Sequence, residues 1–111
     1  MTIPLGDIKF DGPYPIINWD PPCRAAVYAI MIKPDPIKKP ETFRIIYFGE
    51  SSNLSERGFY KSHHKYQCWM QQARSESNIY IGIYKMPDLT QQQRSEIEQK
   101  LVNQYKPVCN D

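Results

Sequence analysis

With 111 residues, 41% hydrophobic and 23% charged, the chain has the size and composition of one folded domain, too short for two and too apolar for a disordered segment. A net charge of +2 says little about partners. No apolar run approaches the ~18 residues of a bilayer span, and Met1–Asp7 lacks the basic start and apolar core of a secretory leader.

The first 24 residues hold Pro4, Pro13, Pro15, Pro21 and Pro22 with Gly6 and Gly12, a composition that predicts an extended arm without regular structure. Residues 25–33 are apolar and rich in β-branched and aromatic side chains, as in a buried strand. Pro34, Pro36 and Pro40 interrupt, with Lys38 and Lys39 exposed at the loop tip, and a second strand is expected over Arg44–Phe48. Ser51 or Ser52 is placed to cap a short helix around Asn53–Arg57. The spacing of Phe59, Tyr66, Met70 and Ala73 predicts a helix over 62–74, with Trp69 and Met70 in the core. Asn78–Met86 alternates as a third strand ending at Pro87. Thr90 with Gln93 reads as a capping box opening a last helix that runs to Tyr105 and stops before Pro107. The expected product is a small α/β sandwich on a central three-stranded antiparallel sheet flanked by helices, with residues 1–24 as an arm and 25–111 as the domain.

Several side chains carry chemical information. Between Arg57 and Arg74 stand four basic residues, two histidines and no acid, a local strip able to hold phosphates, or else a solvated helix face. Glu98 shares a helical face with Leu101, Val102 and Tyr105, whereas Glu96 aligns with Lys100 and Asn103. A carboxylate on the inward stripe needs an arginine, a water or a metal, or sits at the rim with its head in solvent. Cys23, Cys68 and Cys109 are odd in number and lack paired spacing, which argues against a disulfide framework and for a reducing cytoplasm. His64 and Cys68 stand one turn apart, but no second pair completes a zinc site.

In this order the residues resemble the GIY-YIG nuclease family. Ala26-Val27-Tyr28 stands at the first tripeptide and Tyr47-Phe48-Gly49 at the second. Tyr47, Gly49, Ser51, Asn53, Leu54 and Arg57 follow the central pattern, and Glu98 through Tyr105-Lys106-Pro107 to Asn110 resembles the closing segment. The likeness covers residues 25–110. Departures are Ala26 for Gly, Val27 and Phe48 for Ile, and a connection over 34–43 longer than the family's common one. Lys61 stands where many members carry Tyr or His one turn after the arginine, with Tyr60, His63 and His64 as its neighbours.

The resemblance implies a metal-dependent DNA endonuclease. Tyr28 and Tyr47 would serve water activation, Arg57 would clamp the scissile phosphate, and Glu98 would hold Mg²⁺ or another divalent cation such as Mn²⁺. Gly49, Asn53, Lys61, His63, His64 and Asn110 would contact or orient substrate. Which tyrosine acts as base stays open at this point. The alternative is a nucleic-acid-binding module on the same fold that does not cut, and a weaker one is a protein-interaction domain contacting partners through residues 1–24. No attached domain supplies specificity within the chain, so the loops, the arm, a homodimer or a protein partner would have to supply it.

Overall fold

The computed structural model describes residues 2–17, 19–20, 24–39, 42–53, 63–85 and 89–110. Among these, five antiparallel strands form one sheet: β1 (Thr2–Leu5), β2 (Ile8–Pro15), β3 (Ala26–Ile32), β4 (Arg44–Ser51) and β5 (Tyr80–Lys85). Their spatial order is β1-β2-β5-β3-β4. The helices are α1 (Tyr66–Ala73) and α2 (Gln91–Tyr105), with single 3-10 turns at Glu76–Asn78 and Val108–Asn110.

The expectation of three strands is corrected to five, because the segment read as an irregular arm supplies β1 and β2. The three described prolines of that segment sit where a ladder N–H is dispensable. Pro4 lies in β1 at the sheet edge, Pro13 lies in a register break between Asp11 and Tyr14, and Pro15 is the last residue of β2. Leu5 pairs with Ile8 across a two-residue turn whose Gly6 has φ of 63°, a conformation glycine adopts without penalty. That turn was available to a sequence reading: Gly6-Asp7 separates two alternating runs, Ile3/Leu5 and Ile8/Phe10.

Every residue of β3 is buried, because the central strand is covered on both faces. Tyr28, Ile30 and Ile32 face a core completed by Trp69 and Ala73 of α1, with Ile79 and Ile81. Val27, Ala29 and Met31 face a second core completed by Phe10, Phe48 and Leu101 of α2. In the β3–β4 ladder Ile30 pairs with Tyr47 but Met31 pairs with Ile45, so Ile46 is an inserted residue. This bulge shifts every β4 residue before Ile46 onto the face opposite to the one unbroken alternation would give it.

The last helix begins as its sequence predicts. The Thr90 hydroxyl accepts from Gln93 N–H, and the Gln93 side chain accepts from Thr90 N–H, so the capping box is complete. Helix α1 starts at Tyr66, four residues after the expected Ser62, which lies outside the described residues. Its start is delayed because the His63 ring accepts the Lys65 backbone N–H, offering the chain a local turn in place of a helical bond. Trp69 is fully buried as expected, and Met70 packs against the same core from a half-buried position. The short helix expected around Asn53–Arg57 lies mostly outside the described residues; Asn53 N–H donates to the Ser51 hydroxyl.

A disulfide joins Cys68 of α1 to Cys109 in the C-terminal 3-10 turn. This corrects the argument from cysteine count. The partners are 41 residues apart, and only the docking of the C-terminal turn beside α1 brings their Cα atoms to 5.8 Å. The bond also closes the weak His64/Cys68 zinc reading, since Cys68 has no free thiolate. Cys23 lies outside the described residues. Among the described residues no helix is long and apolar enough to cross a membrane.

Candidate active site

The site is built at the β3–β4 ladder, on the sheet face covered by α1. Cross-strand partners point to the same side of an antiparallel sheet. Tyr28 pairs with Gly49 and Ile30 with Tyr47, so both tyrosines face α1, their ring centroids 6.1 Å apart. Tyr28 lies flat across the position opposite it: a Cβ built at Gly49 would overlap the Tyr28 ring carbon and hydroxyl. Gly49 is thus required for room beneath the tyrosine, not for an unusual backbone angle.

His63 closes the group from the start of α1. Its ring meets Tyr28 edge-on at 6.2 Å, Tyr47 at 5.2 Å and Trp69 at 4.6 Å, while His64 stacks on its outer face at 4.5 Å. With Nδ1 accepting from Lys65 N–H at 3.0 Å, the neutral ring carries its proton on Nε2. That N–H donates to the Tyr28 hydroxyl at 2.8 Å. The two phenols also act on each other, an interaction that raises Tyr28 and lowers Tyr47. The result is a hydrogen-bonded run from the Lys65 backbone through His63 to the Tyr28 hydroxyl, with Tyr47 packed beside it.

Burial is the largest influence on each member. It pushes the Tyr28 phenol far above its ordinary value, helped by Tyr47 and Glu98, and raises Tyr47, helped by Glu98. It pushes His63 down from 6.5 to about 4, with the His64 and Lys65 charges adding to the effect. Because the folded value lies below the unfolded one, the unfolded chain takes up a proton that the folded protein refuses. Stability is therefore expected to fall as pH drops through the window from about 6.5 to about 4. The contribution of His63 is the difference between urea midpoints of wild type and His63→Gln at pH 7 and pH 4.5. Identical pH dependence in the two proteins contradicts the assignment.

Glu98 approaches from α2 around the β4 edge. It is half-buried, and its carboxyl is raised first by burial and then by the charge of Glu50. Among the described residues it has no hydrogen-bond donor and no cation partner. The nearby arginine is committed elsewhere: Arg94, buried one turn earlier on α2, donates Nε to Glu50 at 3.0 Å and a terminal N–H to Leu89 carbonyl at 2.9 Å. Arg94 and Glu50 were not among the residues expected to matter. Arg94 stands four positions before Glu98 on the inward stripe, a spacing visible in the sequence.

Asn110 is used at both ends by one residue of β4. Its Oδ1 accepts from Phe48 N–H and its Nδ2 donates to Phe48 carbonyl, each at 2.8 Å. One amide side chain thus stands in for a sixth strand at the open edge of the sheet, beside the second motif. Asn53 is exposed at the end of β4, and Arg57 and Lys61 lie outside the described residues. The described residues hold no group of three or more His, Cys, Asp or Glu side chains gathered for a metal. No protein-family profile, no curated protein and no solved structure matches the chain.

Proposed function

We propose that the protein is a metal-dependent endonuclease that hydrolyses DNA phosphodiester bonds through a GIY-YIG-type site. The observation that carries the reading is the gathering of Tyr28, Tyr47 and His63 on one face of the β3–β4 ladder, with a Glu98 carboxylate, unpaired among the described residues, whose charge raises both phenols. Acid, phenol and histidine come from β3, β4, α2 and the start of α1, and packing alone has no need to bring them together.

The donor set suits a hard cation. A carboxylate such as Glu98, which belongs to no group of three or more His, Cys, Asp or Glu among the described residues, would leave the remaining coordination positions to water and phosphate oxygens, as Mg²⁺ favours. When bound, such an ion supplies charge neutralisation on the phosphoryl group and a positive field near the phenols. The chain's own residues do the rest. Glu98 supplies the anchoring charge, Gly49 and His63 fix the Tyr28 ring, and Tyr47 stands beside Tyr28 so that the pair offers its phenols to the attacking water. Arg57, by the resemblance, clamps the phosphate. At rest both phenols hold their protons, since burial and Glu98 raise them. Activity is accordingly expected to require both the cation and a bound phosphate.

The test is incubation with supercoiled, linear and branched DNA, with Mg²⁺ or with chelator. Metal-dependent cutting should fall by at least about a thousandfold in Glu98→Gln and in Arg57→Ala. Removing a carboxylate that burial disfavours should also raise the Glu98→Gln melting temperature at neutral pH, with no gain where Glu98 is already protonated. Binding without cutting on every substrate would establish the non-cleaving module instead. The reading includes a cytoplasmic location, where the DNA would be met. The Cys68–Cys109 bond is the observation that weighs against a reducing compartment.

A further inference from the structure

At the other end of the same sheet face lies a cavity of about 670 Å³ that the tyrosine site does not use. Its lining includes Lys33, Pro36, Arg44, Gln72, Arg74 and Asn78. Among the described residues two arginines, Arg44 and Arg74, border it together with the Lys33 backbone end of β3, whose ammonium is turned to the opposite face, and no carboxylate does.

Two departures from regular backbone put these cations there. The first is the bulge at Ile46. With unbroken pairing Arg44 would face α2; the inserted residue pairs it with Ile32 and turns it to the α1 face. The second is Arg74, the C-cap of α1, held at φ of 67°. Glycine is the usual occupant of that conformation, and a larger residue holds it only at some cost in backbone strain. Both arginines are exposed, and neither has a carboxylate partner among the described residues. The floor beneath them is rigid. The Asn78 amide accepts from Lys33 N–H at 3.1 Å and donates to the carbonyls of Lys33 and Ala73 at 3.1 and 3.3 Å. This ties the end of β3 to the end of α1. The Lys33 ammonium is held over the rings of Phe43 and Tyr80. Pro34 and Pro36, in the connection after β3 that the tyrosine site leaves unexplained, supply one wall.

From this arrangement we infer that the cavity binds a nucleic-acid backbone phosphate, with Arg44 and Arg74 as its clamp. The identity of the anion rests on the nuclease reading; the cation geometry does not. Tyr28 and Ile32 are four residues apart on one strand and face the same side, a separation of about 13 Å. At 3.4 Å per base-pair step that spans about four base pairs of duplex. The cavity therefore grips the substrate about four steps from the bond being cut, on one side only.

The experiment measures binding of wild-type full chain and Arg44→Gln/Arg74→Gln to a labelled duplex in chelator, across salt concentrations. A charge-matched control is Lys9→Gln/Lys100→Gln, whose lysines are exposed on β2 and α2. The arginine variant should bind at least about tenfold more weakly, with its salt slope reduced by about two, while the control changes little. Equal losses in both variants, or none in either, overturn the inference. Inorganic phosphate and ATP are tested as competitors. If the arginine pair binds those anions but its loss leaves duplex affinity unchanged, the nucleic-acid assignment is overturned. Cutting is scored separately. Loss of duplex binding in a protein that never cuts leaves this site standing and the nuclease reading fallen. Undiminished cutting and binding by the arginine variant does the reverse.

Discussion

Gly49→Ala is expected to destabilise the protein by about 1–3 kcal/mol and to reduce DNA cleavage by at least about a hundredfold. The new methyl would occupy space already filled by the Tyr28 ring and hydroxyl. Neither partner can yield easily. Tyr28 is 3% exposed, and its hydroxyl is held by His63 on one side and Tyr47 on the other. The backbone of Gly49 is fixed by its ladder pairing with Tyr28. The ring must therefore swing out of the hydrogen-bond chain or the two strands must part. A double-mutant cycle with Tyr28→Ala isolates the cause. In that background the ring is gone and Gly49→Ala should become nearly neutral, giving a coupling of about the full single-mutant effect. Additive urea midpoints across the four proteins would show that Gly49 is required for some other reason.

The second large effect concerns the Cys68–Cys109 bond. Closing a loop of this length removes conformational entropy from the unfolded chain worth about 4 kcal/mol. For a domain whose total stability lies in the usual range of about 5–15 kcal/mol, that is a substantial share. Reduction, or Cys68→Ala/Cys109→Ala, should lower the melting temperature by roughly 15 °C or more. Alanine is the appropriate replacement, because Cys109 is fully buried and a serine hydroxyl there would want a partner. Alkylation of the unreduced, denatured protein should leave both Cys68 and Cys109 unmodified. Two or three reactive thiols, with a melting temperature unmoved by reductant, would remove the bond from the account. The consequence extends to the site. Cys109 adjoins Asn110, whose amide closes the β4 edge at Phe48, so loosening the C-terminal turn should also loosen the strand that carries Tyr47.

Much of the site could be read from the chain because its informative residues repeat within single elements. Tyr28 lies in the unbroken apolar run of β3, Tyr47 and Gly49 stand two apart on β4, and Glu98 shares the inward stripe of α2 with Leu101 at a period of about 3.6. The capping box at Thr90 and Gln93 is equally local, and it formed as written. What escaped were features that local pattern does not encode. The prolines of the first 24 residues obscured a hairpin, because their tolerance depends on which strand is at the edge and where a bulge falls. His63 looked like one of two adjacent histidines with equal claims. Burial against Trp69 and a bond from the Lys65 N–H gave it a neutral state and a tautomer, and left His64 stacked outside.

Taken alone, the amino-acid order determines a central apolar strand, a capped C-terminal helix with an acid on its inner face, and two tyrosines at a spacing that suits one ladder. These follow from periodicity and from short-range hydrogen bonding, which operate within a few residues. The tertiary structure alone decided the pairing of Cys68 with Cys109, the commitment of Arg94 to Glu50, and the turn of Arg44 onto the face of α1. Each depends on a contact between distant segments or on one inserted residue in a ladder. A one-residue slip inverts every side chain beyond it, and no local pattern in β4 announces where the slip will fall.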